Sequence, residues 1–253
     1  MKKIIGIICS VFLVAQTAMF AGCGKEEEKK GNVNELVDVW STYGATKVLQ
    51  NQKENVSYHN LGEGISISMM KNESEGTQLV LTAKQDVSSY ELIGGDLKDD
   101  AGNVISKDDI SIYHQKYITI TKRANAEMNP AFAVGDYIPD MLLDMDKAVE
   151  YKENTIKSGE NQSIYVEVET KSDTKAGTYK GDFTLKVDGA EVSVPVTVTV
   201  WDFGFDGKSE FKSVFLLYTW GLLHGEYDCS DEMILNYMET ALKYDICLYP
   251  VGT

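Results

Sequence analysis

Histidine and cysteine are scarce in this chain, with 3 and 4 copies among 253 residues. The histidines, at 59, 114 and 224, are too scattered to suggest a metal site. There is no CxxC, no HExxH and no His/Cys cluster with zinc spacing. Four cysteines are too few for a disulfide scaffold. Basic residues are also short: 24 against 39 acidic, a net charge of −15. Such a chain does not favour nucleic acid, whose binding rests on phosphate neutralisation, nor anionic lipid through its surface. Finally, no apolar run reaches the ~20 residues of a membrane span.

What is present begins with an address. Lys2 and Lys3 form a basic start, and Ile4–Phe20 is apolar but broken by Ser10, Gln16 and Thr17. Ala21-Gly22-Cys23 and the polar GKEEEKKG follow, which is signal-peptide anatomy. A cysteine directly after small residues resembles the bacterial lipobox, so Cys23 is expected to be acylated and to become the new N-terminus. On this reading residues 1–22 are a lipoprotein signal peptide and 23–34 a tether holding a domain at the outer face of the membrane. Cys9 leaves with the signal. Cys229 and Cys247 remain, either paired or as two buried thiols.

The body reads as strands. Ala176–Phe203 is a β-hairpin: Asp188-Gly189 supplies the two positive-φ residues of a type I′ turn. Phe183, Leu185 and Val187 share one face before it, and Val192 to Val200 alternate after it. Pro195 lacks a ladder donor, so the second strand is expected at an edge or a bulge. Further strands are expected in Glu35–Asn51, Gly64–Met70, Thr77–Ala83, Ser89–Leu97, Ile110–Thr121 and Ser163–Glu169. Short strands between turn signals predict an antiparallel β-sandwich over residues 35–205. Ala124–Asn154, with Pro130 and Pro139, reads as a long loop with a short helical piece.

After Trp201 the pattern changes. Phe211–Tyr218 lacks alternation, as in a strand buried on both faces. Thr219–Cys229 reads as a loop. Ser230 is a good N-cap, Asp231 and Glu232 suit a helix start, and Ile234, Leu235, Met238, Ala241 and Leu242 form an apolar stripe. Ile246–Val251 completes one β-α-β unit, the opening of a parallel α/β segment over 206–253.

Several segments in order carry a resemblance: VWSTYGATKVLQN (39–51), MMKNESEGTQLVLTA (69–83), GDYIPDMLL (135–143), ENQSIYVEVETKSDTKAGTYKGDFTL (160–185) and VSVPVTVTVWDF (192–203). They are similar to the N-terminal sandwich of glycoside hydrolase family 123 and of the related proteins gathered as domain of unknown function 4091. The resemblance implies a following (β/α)8 barrel, a TIM barrel, that hydrolyses N-acetylgalactosaminides. It also implies a substrate-assisted mechanism, in which a neighbouring Asp and Glu of the barrel orient the acetamide and protonate the leaving oxygen. A barrel needs about 200 residues or more. Residues 206–253 match only its first β-α-β, so no catalytic residue is carried across, and the chain reads as a truncated, inactive portion of the enzyme.

Barrel sites lie at the C-terminal ends of the strands. That puts Trp220, His224, Glu226 and Tyr227 on the sugar side, against the alternative of loop core and solvated charge. Glu73, Glu75, Asp96, Asp99 and Asp100 are expected in solvated turns rather than at a calcium ion. Trp40 and Trp201 are either a sugar platform or, preferably, core or domain interface. No cofactor and no metal are expected. Expected partners are a glycan, through the complete barrel, and a membrane, through the lipid anchor. The rival reading is a non-catalytic glycan-binding or adhesion sandwich.

Overall fold

The computed structural model describes residues 32–51, 64–121, 134–205, 213–218, 225 and 228–251. The hairpin is its centre. Asp188 (φ 46°) and Gly189 (φ 81°) make the turn between β10 (Gly177–Val187) and β11 (Ala190–Gly204). The Asp188 carboxylate also accepts from the amides of Ser88 and Ser89, both at 2.9 Å, so the turn holds the approach to β4 (Tyr90–Ile93).

Two sheets contain the described strands of the domain. One has the order β1 (Val37–Tyr43), β3 (Ser74–Ala83), β9 (Asn161–Glu169), β7 (Ile110–Thr119), β8 (Tyr137–Asp144). The other runs β2 (Ile65–Lys71), β11, β10, β5 (Leu97–Lys98), β6 (Val104–Ile105), with β4 also on β10. Pairing is antiparallel except between β2 and β11, which run parallel from Ile65↔Val196 to Gly204↔Lys71. The fold is thus mainly β and sandwich-like, as the alternation predicts.

The core fills the space between the sheets. Leu79, Leu81, Ile164, Val166 and Val168 come from one, and Ile65, Ile67, Met69, Phe183, Leu185 and Val194 to Val200 from the other. Each fully buried aliphatic side chain contributes roughly 1.5–3 kcal/mol. A second cluster, Trp40, Val48 and Val80, lies apart from it. It stands where residues 44–51 fold over β1 and β3. The buried Gln78 amide donates to the carbonyls of Tyr43, Gly44 and Thr46 at 2.9, 2.9 and 2.7 Å, fixing that segment.

Several expectations change. β11 is an interior strand, not an edge. Pro195 is tolerated because the β2 ladder begins one residue later, at Val196, and the ring itself is exposed. The long excursion contains an edge strand, β8, whose Pro139 sits opposite Tyr117 beside a register shift that leaves Asp140 of β8 without an opposite residue. The short helix α2 (Met145–Glu150) follows it. Ser89–Leu97 splits at Gly94-Gly95 into β4 and β5. Val33, on the tether side of the expected boundary, is 1% exposed inside α1 (Val33–Leu36).

Beyond the sandwich, β12 (Phe215–Tyr218) and β13 (Leu248–Val251) pair in parallel, with α3 (Asp231–Lys243) between them in sequence. The Ser230 hydroxyl caps α3 by accepting from the Met233 amide, 3.2 Å. These strands are not buried on both faces: Phe215, Leu216 and Tyr249 are 56%, 57% and 59% exposed. A two-stranded sheet with one helix covers little of itself, and among the described residues here Cys229, Ile234, Leu217 and Met238 form the one cluster. No disulfide joins Cys229, which is buried, to Cys247, which is exposed.

Candidate functional site

The end of β11 is tied to the end of β2 and the turn that follows it. Phe205 donates its amide to the Lys71 carbonyl, 3.0 Å, and the Asn72 side chain donates back to the Phe205 carbonyl, 3.1 Å. Asn72 takes the left-handed conformation (φ 58°) that lets this turn close. Glu73 accepts from the Met70 amide at 2.5 Å, and Thr170 donates its hydroxyl to the Met70 carbonyl at 2.7 Å. Lys243, Tyr244 and Asp245, at the end of α3, close the other wall of a cleft of about 530 Å³.

The chemistry of this cleft is that of a joint. Glu73 and Thr170 are engaged by backbone groups. The Lys243 ammonium lies 5.3 Å from the Tyr244 ring centroid, a cation–π contact. Tyr244 beside it holds Lys243 above its ordinary value, while burial, then the Glu167 charge, raises the Tyr244 hydroxyl. Both shifts move Lys243 and Tyr244 away from neutral pH.

A second cleft, of about 280 Å³, opens beside β7. His114 stands on its floor, 4% exposed. Its Nδ1 shares a 2.5 Å hydrogen bond with the Tyr90 hydroxyl, and the rings stack with centroids 6.2 Å apart. Burial holds the Tyr90 hydroxyl far above its usual range, so it keeps its proton; with no other partner among the described residues, it donates that proton to Nδ1. The imidazole is itself pushed down by burial, with Lys116 adding to the effect and Glu153 opposing it. Lys116 and Glu153 pair at 2.8 Å.

The lowered pKa of His114 has a consequence for stability. An unfolded histidine titrates near 6.5, the folded one below that, so the unfolded chain takes up the proton first. Stability from this group is complete above about pH 6.5 and is lost as pH falls through the folded pKa. The unfolding free energy from urea titrations should therefore fall as pH is lowered from about 6.5, with a slope of up to ~1.4 kcal/mol per pH unit. His114→Gln should flatten that stretch; an unchanged slope would contradict it.

Of the residues singled out in the sequence, Cys23, Trp220, His224, Glu226 and Tyr227 lie outside the described residues. Trp40 is core: its indole Nε1 donates to Thr82 Oγ1 at 3.0 Å. Trp201 is 44% exposed and stacks on Phe203 at 5.5 Å. Glu75 lies on β3 rather than in a turn, and burial raises its pKa. Asp99 turns the β5–β6 connection, accepting from the Asn103 amide at 2.7 Å. Among the described residues no group of three His, Cys, Asp or Glu is arranged to hold a metal ion. The clefts beside Lys243 and His114 carry no sequence motif, since strands far apart in the chain assemble them.

The family model for the glycoside hydrolase 123 N-terminal domain matches residues 43–187, from the end of β1 through the first strand of the hairpin. The chain belongs to this family. It is a glycoside hydrolase-related protein. Among solved structures, a family 123 glycoside hydrolase from Clostridium perfringens aligns with a TM-score of 0.57 at 15% identity, covering 83% of this chain. At that identity the likeness shows the fold alone. The chain spans only 36% of that enzyme. AvmM, which catalyses macrocyclization in alchivemycin A biosynthesis, aligns at a TM-score of 0.33 and 10% identity, over 70% of this chain and 94% of its own. The CooA pilin subunit of enterotoxigenic Escherichia coli gives 0.30 and 12%, over 65% and 97%. Neither carries an argument about a glycoside hydrolase 123 N-terminal domain. No curated protein matches the sequence.

Proposed function

We propose that the chain is the N-terminal portion of a cell-surface lipoprotein glycoside hydrolase acting on N-acetylhexosaminide glycans, β-N-acetylgalactosaminides among them. The family match over residues 43–187 carries this reading. The parallel β12–α3–β13 unit after the sandwich supports it, because a (β/α)8 barrel opens with that unit. In this reading residues 35–205 brace the barrel and 206–253 begin it. Trp220, His224, Glu226 and Tyr227 lie on the connection after the first barrel strand, the substrate side. Cys23 carries the lipid and residues 23–34 the tether. The 253 residues alone turn over no substrate, because the acid and its orienting partner belong to later barrel strands.

Sequencing genomic DNA past codon 253 tests the proposal together with an assay on a chromogenic β-N-acetylgalactosaminide. An open frame encoding further β-α units, whose product hydrolyses the substrate while the 253-residue chain does not, is the expected result. Turnover by the 253 residues, or an inactive longer product, overturns it. Labelling with palmitate that survives Cys23→Ala would remove the anchor.

A further inference from the structure

His114 lines the smaller of the two clefts. Tyr90 occupies Nδ1, so the imidazole proton sits on Nε2, and Nε2 has no partner among the described residues. Beside it stands Gln162, 2% exposed, whose Nε2 donates to the Gln115 and Ser163 carbonyls at 2.8 and 2.9 Å. That leaves Gln162 Oε1 as an acceptor, again unpartnered among the described residues. One donor and one acceptor, on residues only 4% and 2% exposed, thus line the same cleft, as an alcohol group requires of its surroundings. The walls carry Lys116 and Lys157 against Glu153 and Glu160. Two cations balance two carboxylates, and with a neutral imidazole the cleft favours neither anion nor cation. At the rim Tyr137 is 41% exposed, a flat apolar face with a polar tip. The volume, about 280 Å³, lies just under the range usual for ligand pockets and suits one ring rather than a chain.

We propose that this cleft, formed by β7, β8 and β9 with the segment around Glu153, binds a single neutral sugar residue. The ring lies against Tyr137, and adjacent hydroxyls meet His114 Nε2 and Gln162 Oε1. It is a binding site without chemistry, on the sandwich and apart from any barrel. The glycan reading above supplies only the choice of probes.

The test uses the 253-residue chain and proton NMR of its histidine rings, with the His114 signals assigned from His114→Gln. N-acetylgalactosamine and galactose are titrated in turn, with sodium sulfate as a charged control. The expected result is a saturable shift of the His114 ring signals by a sugar, with a Kd of about 1 mM, a strength usual for one ring held by few contacts. Tyr137→Ala should weaken it about tenfold through loss of the apolar face. If that variant loses its fold, Gln50→Ala, on the same rim, takes its place. No saturable shift from either sugar, a shift that the folded rim variant leaves unchanged, or a shift from sulfate alone overturns the proposal. Each of these leaves the hydrolase reading standing, because that reading rests on turnover by the longer product.

Discussion

Phe183→Ala should destabilise the domain by about 3–5 kcal/mol, the cost of a buried phenyl plus the cavity it leaves. Phe183 is 1% exposed at the middle of β10, opposite Val194. Its ring tip reaches toward Gly94, where β4 gives way to β5, so it meets the second sheet's own break as well as the facing layer. Domains of this size are stable by about 5–15 kcal/mol, so the variant gives up a third or more of that margin. Urea unfolding at pH 7 reads it as a lower midpoint with an unchanged slope. Phe183→Leu should recover most of the loss, to within ~1.5 kcal/mol. A loss under ~1 kcal/mol for alanine would mean that the space between the sheets is not the main core.

Trp40→Ala should cost a similar ~3–5 kcal/mol, but in a different place. The indole packs with Val48 and Val80 and donates to Thr82, whose hydroxyl donates onward to Asn161 at 2.7 Å. Removing it unpins residues 44–51 and leaves Thr82 without one partner. Hydrogen exchange should then quicken in that segment before it does in β10 and β11, while Trp40→Phe keeps most of the protection. The same variant separates core from sugar platform. A platform tryptophan would lose ligand affinity with little change in stability, and Trp40 should do the opposite.

Apolar residues recurring between turn signals make the hairpin, β2, β3, β7 and β9 legible in sequence; burial itself alternates along β2, β10 and β11, whereas Thr77–Leu81 of β3 and Asn161–Ile164 of β9 are buried without a break. Legibility ends where that recurrence ends. β8 carries Pro139, Asp140 and Asp144 within an edge strand, so neither its composition nor its period resembles a strand; it is one because it pairs along β7. β5 and β6 are two residues each, below the length at which any period exists. The parallel pairing of β2 with β11 leaves no local trace, since it joins residues far apart in the chain. The same applies to the clefts. His114 and Gln162 are separated in sequence and meet through the β7–β9 pairing, so spacing excludes a metal from His114 without revealing its partners. The βαβ unit was legible as elements, but its burial was not, because burial depends on what else packs against it.

The parallel pairing also bears on the order of events during synthesis. Lys71 and Asp202, bonded at 2.6 Å where β2 meets the end of β11, are 131 positions apart. β2 leaves the ribosome early and has no partner within its sheet until β11 emerges. Closing so long a loop is slow, and the early strand stays available to wrong partners meanwhile. The last strand of the sandwich to be made, β11, is the one that gives β2 its partner. Refolding from denaturant should therefore end on a late step in which β2 and β11 gain protection together.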